Sequence, residues 1–514
     1  MSEQLRHLPT YLIAHLALSL SALLLGVLCS VPLGVLVTRH RRWEAPVLGT
    51  ASVLQTIPGL ALLAIMVPAL AALGARSIGY LPALLGLFLY SLLPILRNTV
   101  AGLSGIDPAV LEAARGVGMT DRDSLLRVEL PLALPVIIAG IRTSAVWTVG
   151  TATLSTPVGA PSLGNYIFGG LQTRNYAAVL LGCVASAGLA LTVDGTIRMF
   201  AQGLEGRSRT RLRIALVLLS LLSLTALSPL VQMLRGGERV QLTVGAKTFT
   251  ESYILAHVLA QTVERDTGLA TRTLESLGST VAFDALVAGQ IDAYVDYSGT
   301  LWSTVLHHAE PRPDRQVLLS QVRDELATKY GVRLVAALGF ENTYALAMRR
   351  ADAHRLGLQR ISQLAPHASR LRIGADYELF ARGEWQALVG SYGLAFAEQR
   401  SMDPSLMYEA ARTGQVDVIG AFSTDGRIAA YDLTVLTDDR GAMPPYDAVI
   451  LVSARVGRDL PRVVESLRGL AGSINATAMQ ELNRLVDEQH RTPAAAARTI
   501  TQPTANSTTT DSAK

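Results

Sequence analysis

Six apolar stretches of membrane-spanning length occupy the first 234 residues, and no other feature constrains this chain as strongly. They run at about Leu12–Thr38, Val47–Gly74, Ile78–Leu96, Leu132–Leu154, Tyr176–Val193 and Ile214–Leu234, each close to the ~20 residues a helix needs to cross hydrocarbon. Charge is divided along the same line. Residues 1–234 carry 16 Arg, no Lys and 9 acidic residues, while the rest of the 514-residue chain carries 29 basic and 32 acidic residues. Charged residues make up 17% of the whole, against about 25% in soluble domains. A disordered chain or a nucleic-acid-coating protein is therefore excluded. The formal net charge of +4 reflects a cationic membrane half joined to a mildly acidic one.

The arginines also give an orientation. Arg39–Arg42, Arg97–Arg127 and Arg198–Arg213 fall in alternate loops, and the opposite loops hold only Arg76 and Arg174. Basic loops stay in the cytoplasm, so the N-terminus is expected outside. Six spans then place everything after Leu234 outside the cytoplasm. The first apolar stretch is followed, not preceded, by its charges and does not read as a cleaved signal peptide. Only Cys29 and Cys183 occur, both in apolar runs, so the second half has neither a disulfide nor a cysteine metal site. His307-His308 lies in a polar stretch and reads as a solvated pair, with no metal expected.

The loop near 105–131 is the most informative part of the membrane half. Asp107 is placed to cap a helix whose first residue is Pro108, Gly118 ends or bends it, and a second helix leads to Leu130-Pro131. Glu112-Ala113-Ala114, three residues, Gly118, nine residues, Val128, one residue and Leu130-Pro131 resemble the cytoplasmic coupling loop of ABC importer permeases. Val128 stands where Ile is commoner. The stretch Arg142-Thr-Ser-Ala-Val-Trp147 is similar to the betaine-type branch. The resemblance implies that Glu112, Ala113, Ala114, Gly118, Leu130 and Pro131 dock on a separate ATPase subunit, and that two copies of this chain complete the pathway. The chain itself lacks a P-loop: its one Lys-Thr pair, Lys247-Thr248, is preceded by Ala246, with Gln241 where the first glycine belongs. ATP and Mg are therefore expected on the partner, with no cofactor bound by this chain.

Residues 235–240 read as a linker, and 241–500 as an α/β domain whose strand-like runs include Gln241–Val244, Leu334–Ala336, Tyr344–Met348, Leu371–Gly374, Val416–Ile419 and Val449–Val452. Residues 501–514 have no apolar periodicity and read as a disordered tail. Aromatics are only 5% of the chain, yet Tyr297, Tyr344, Phe422 and Tyr446 all sit beside polar or turn residues after strands. The segments Gly245-Ala-Lys247-Thr-Phe-Thr-Glu251, Asp-Tyr297-Ser-Gly-Thr300, Phe422-Ser-Thr-Asp-Gly-Arg-Ile and Pro444-Pro-Tyr446-Asp-Ala are similar to osmoprotectant-type solute-binding proteins. This implies a two-lobed Venus-flytrap clamp of the periplasmic-binding-protein type II kind, with lobe one at about 241–338 plus 450–500 and lobe two at 339–449.

That family binds quaternary ammonium compounds. A trimethylammonium group donates no hydrogen bond, and aromatic faces attract it by roughly 0.5–2 kcal/mol per ring. By resemblance Tyr297, Tyr344, Phe422 and Tyr446 form the cage, with the Asn342 carbonyl beside it. Lys247, Thr300 and Arg382 are expected at a ligand carboxylate. Phe422 replaces the commoner Tyr, Ser252 stands where Gln is usual, and Gly420 where Asp is frequent. The expected function is a non-enzymatic importer subunit for a glycine betaine-like, carboxylate-bearing compound. Ergothioneine or choline as cargo is the alternative. A transmembrane betaine sensor is a more distant one, disfavoured by the coupling loop.

Overall fold

The computed structural model describes residues 2–173, 175–206, 208–234, 242–308, 314–381, 383–443 and 445–502. The linker 235–240, Arg382 and residues 503–514 of the expected tail lie outside the described residues. Contacts divide the chain into two compact units, 1–168 with 177–238, and 239–514 with 169–176.

The first unit is helical. Four helices among the described residues are long and apolar enough to cross a membrane: His7–Arg39, Tyr80–Ser104, Asp121–Val158 and Tyr176–Leu204. The second expected span is broken. Helices Arg41–Thr56 and Gly59–Ala72 meet at 101°, because Ile57 is extended and precedes Pro58, a pairing that disfavours helical backbone. Counted as one span, the pair makes five. The sixth stretch also forms a helix, Arg209–Leu234. Among the described residues the search thus gives four or five spans, and the parity argument for sidedness rests on that last helix.

Helix packing in this unit relies on small residues. A side-chain carbon at Gly140 would lie 2.7 Å from the Pro94 carbonyl oxygen, so only glycine lets these backbones approach so closely. Arg142 donates two hydrogen bonds, of 2.8 and 3.0 Å, to Asp194 on the neighbouring helix. The expected helix in the 105–131 loop runs Pro108–Gly116, with Asp107 Oδ1 accepting from the Ala109 N–H at 2.9 Å. Gly118 follows at φ +80°. A short helix, Asp121–Ser124, capped by Thr120, then leads through a wide five-residue turn into Leu130–Thr151. Buried Glu129 accepts two bonds from Arg39, at 2.7 and 2.9 Å, and one from Ser124. It ties this segment to the end of the first helix.

The second unit has ten strands: β1 (Leu242–Lys247), β2 (Thr271–Leu277), β3 (Ala293–Tyr297), β4 (Arg333–Glu341), β5 (Tyr344–Arg349), β6 (Arg372–Ala375), β7 (Glu398–Ser401), β8 (Val418–Phe422), β9 (Leu433–Val435) and β10 (Asp447–Val452). They form two five-stranded sheets, ordered β2-β1-β3-β10-β4 and β7-β6-β8-β5-β9. In the first, β1 runs parallel to β2 and β3, and β10 is antiparallel to β3 and β4. In the second, β6 is parallel to β7 and β8, and β5 is antiparallel to β8 and β9. Every residue of β1 and β10 is buried, as expected of strands covered by helices on both faces. The chain crosses between sheets twice, after Glu341 and before Asp447. The first sheet therefore keeps three residues at each crossing that the sequence division had given to lobe two.

Candidate functional site

Both crossings, and the ends of β1, β3, β5 and β8, converge on one cluster of rings. Tyr297 ends β3, Tyr344 opens β5, Phe422 ends β8, and Tyr446 immediately precedes β10. Pairing brings Tyr344 directly opposite Phe422 across the β5–β8 ladder, with ring centroids 5.1 Å apart. Tyr344 meets Tyr446 edge to face at 6.1 Å. A fifth ring joins them. Phe249, just after β1, lies 6.2 Å from Tyr297 and stacks at 6.4 Å on Phe422. The sequence reading quoted Phe249 within a motif but assigned it no role; its place in an otherwise polar Lys-Thr-Phe-Thr-Glu run was the available signal. The structure thus brings all four expected cage residues together and adds one.

Two glycines make room for this arrangement. A side-chain carbon at Gly299 would lie 2.8–2.9 Å from three atoms of the Tyr446 ring. At Gly420 it would lie 2.4 Å from Leu379 and 3.0 Å from Ala375, so a larger side chain there would require both to shift. Ser252 is buried, and its hydroxyl accepts the Lys247 backbone N–H at 2.7 Å, closing the turn from β1 into helix Thr250–Thr267.

Glu251, in the first turn of that helix, organises the cluster. Its Oε1 accepts from the Tyr297 hydroxyl and from Asn342 Nδ2 (2.9 Å), and its Oε2 from Thr424 Oγ1 (2.5 Å) and Asn483 Nδ2 (3.2 Å). Thr424 follows β8 of the second sheet, whereas Glu251 and Asn483 belong to helices packed on the first. Asn483 also donates to the Thr424 carbonyl at 2.9 Å. One carboxyl group therefore holds a cage ring, the crossing residue and the opposite lobe. Burial lifts the Glu251 pKa above the ordinary carboxylate value, and bonds from Thr424, Tyr297, Asn483 and Asn342 oppose that lift. Burial beside Glu251 pushes the Tyr297 phenol well up, so it stays protonated and donates.

The residues expected at a ligand carboxylate fare differently. Lys247 is buried, but its ammonium is ion-paired with buried Asp296 and lies 5.8 Å from the Tyr297 ring centroid. Its charge is already matched within the protein, so a ligand without a carboxylate would not leave it unpaired. Asp296 carries the further load of the Tyr294 hydroxyl and the Tyr297 N–H. Thr300 is buried in the turn after β3. Asn342 is buried; its N–H donates to the Tyr446 carbonyl at 3.0 Å, and its side chain serves Glu251. His308 pairs with Glu325 at 2.7 Å and stacks on Trp302.

In the segment expected to meet an ATPase, Ala114 is buried while Glu112, Ala113, Gly118 and Pro131 are exposed. Val117 beside them is 76% exposed.

Comparison with known proteins matches both halves. Residues 240–502 match the substrate-binding domain of ABC-type glycine betaine transport systems, and residues 30–206 match the inner membrane component of binding-protein-dependent transport systems. An ergothioneine transport permease/ergothioneine binding protein of Helicobacter pylori (strain G27) is 30% identical over 483 residues, covering 92% of this chain and 85% of that protein. A choline transport system permease protein of Bacillus subtilis (strain 168) is 41% identical over 199 residues, covering 39% of this chain and 89% of its own length. A crystal structure of a glycine betaine/carnitine/choline ABC transporter is 32% identical, with a TM-score of 0.45, covering 50% of this chain and 96% of that one.

Proposed function

We propose, from the premise that this chain belongs to the ABC importer permeases fused to a glycine betaine-type substrate-binding domain, that it captures a quaternary ammonium compound and passes it across the cytoplasmic membrane. The observation that carries this reading is the five-ring cluster at the crossings between the two sheets. Rings set at several angles present π faces to a cation that cannot hydrogen-bond. Tyr297, Tyr344, Phe422, Tyr446 and Phe249 form the cage, and Asn342 sets the crossing between lobes. Thr300 and Arg382 are the proposed contacts for a ligand carboxylate, with Lys247 acting through its pair with Asp296.

Transport is driven by ATP hydrolysed on a separate subunit that docks on Glu112, Ala113, Ala114, Gly118, Leu130 and Pro131. Two copies of the chain make the pathway. The N-terminus and the binding domain face away from the cytoplasm. Closure of the lobes on ligand is favoured because contacts from both are gained only when shut.

Ergothioneine is the second reading for the cargo. It is favoured by the fused Helicobacter pylori relative, whose likeness extends through both halves of the chain. The test is genetic. Removal of this chain from its source cell should abolish energy-dependent uptake of one among glycine betaine, carnitine, choline and ergothioneine, and a plasmid copy should restore it. Undiminished uptake of all four would refute the proposal.

A further inference from the structure

Each of the three cage tyrosines donates its hydroxyl to a buried carboxylate. Tyr297 donates to Glu251, Tyr344 to Asp376 at 3.0 Å, and Tyr446 to Glu384 at 2.9 Å. Glu251, Asp376 and Glu384 are 3%, 4% and 2% exposed. They share a second feature: each sits where a helix begins. Glu251 lies in the first turn of Thr250–Thr267 and Glu384 in the first turn of Gly383–Tyr392. Asp376 immediately precedes Tyr377–Ala381 and accepts the Leu379 N–H at 2.6 Å. The free N–H groups and dipole of a helix start favour a negative charge, which offsets part of the cost of burying an acid.

The arrangement acts on the rings in two ways. A phenol that donates to a carboxylate gains electron density, so its face becomes more negative. The carboxylate charge, held in a water-poor interior, adds a field that attracts a cation. Neither effect attracts an uncharged group of the same shape. A bare aromatic pocket, by contrast, takes a tert-butyl group through apolar contact alone.

Resting on the proposed quaternary ammonium reading, we infer that Asp376 and Glu384 are the charge-selecting residues of this site: through the hydroxyls of Tyr344 and Tyr446 they make the cage prefer a fixed cation to its neutral isostere, while Glu251 holds the Tyr297 ring in place. Asp376 and Glu384 are positioning and field-setting residues, one step behind the rings.

The test uses the full chain in lipid nanodiscs and calorimetric titration. The probes are choline, glycine betaine and ergothioneine, each beside the isostere carrying tert-butyl in place of trimethylammonium. The variants are Asp376→Asn and Glu384→Gln, which keep shape and a hydrogen bond but remove the charge. Tyr344→Phe and Tyr446→Phe keep the ring and cut the link. The parent should favour the ammonium compound, and each variant should lower the ammonium-to-isostere affinity ratio about tenfold, with tert-butyl binding little changed. A ratio that stays constant while both affinities fall together would assign these acids a purely structural role and overturn the inference, leaving the proposed function intact. A parent that binds none of the three ammonium compounds would overturn that reading and this one with it.

Discussion

Gly299→Ala probes the ring cluster without deleting any of its side chains. The new methyl carbon would sit 2.8 Å from Tyr446 Cζ and 2.9 Å from both Cε atoms, at least 0.5 Å inside the 3.4 Å where ordinary contact begins. Tyr446 has little room to yield. Its ring is 2% exposed, its hydroxyl is held by Glu384 at 2.9 Å, and Tyr344 flanks it. Overpacking of this kind costs about 1–3 kcal/mol. If the ring shifts to relieve it, one cation–π face is lost, a further ~1 kcal/mol of ligand binding. The prediction is a lower melting temperature together with affinity for the bound ammonium compound weakened about fivefold, both read on the full chain in nanodiscs. Gly390→Ala is the control: nothing lies within 4 Å of its new carbon, and alanine is the better helix former. Unchanged affinity and melting temperature in Gly299→Ala would refute the placement of Tyr446 and its role in the cage.

Four further outcomes follow from the same geometry. Lys247→Met leaves Asp296 buried without its cation and should destabilise the binding unit by about 3–5 kcal/mol, measured by chemical denaturation; a loss below about 1 kcal/mol would mean the pair is dispensable. Because burial raises the Glu251 pKa, its contribution to stability is complete below the unfolded carboxylate pKa and is lost as pH rises through the folded value. The melting temperature of the parent minus that of Glu251→Gln should therefore fall as pH rises above the ordinary carboxylate range, and a flat difference would contradict the assignment. Phe422→Tyr should leave the order of ligand preference unchanged while altering affinity modestly, and abolished binding would place the cage elsewhere. Glu129→Ala strands the Arg39 guanidinium and frees Ser124, so uptake should fall while ligand affinity at the outer domain stays the same; unaltered uptake would remove Glu129 from the coupling path.

Much of this was legible because apolar pattern and side-chain type coincide. Strands β1, β5 and β10 are apolar runs, and the Asp107-Pro108 cap reads directly from residue chemistry. The strands that escaped notice are polar for physical reasons. Glu398–Ser401 is an edge strand whose residues are half-buried or exposed, and Ala293–Tyr297 carries Asp296, which is tolerable inside only because Lys247 and two further donors satisfy it. The break at Ile57-Pro58 escaped because hydropathy averages over a bend. The four cage rings came from resemblance to a family, and the pattern alone gave each no more than a place at a strand end. The carboxylates Glu251, Asp376 and Glu384 were not separable from surface acids, since burial and the tyrosine hydroxyls that meet them exist only once two distant crossings of the chain are brought together. The same holds for Lys247, whose partner is 49 residues away.

The measurement closest to the central claim is calorimetric titration of the full chain with glycine betaine, carnitine, choline and ergothioneine, beside Tyr344→Ala. Tyr344 contacts both Phe422 and Tyr446, so its loss opens the cage at its centre. The account predicts saturable binding of at least one of the four by the parent and its loss in the variant. Equal binding by parent and variant, or none of the four bound by the parent, would contradict it.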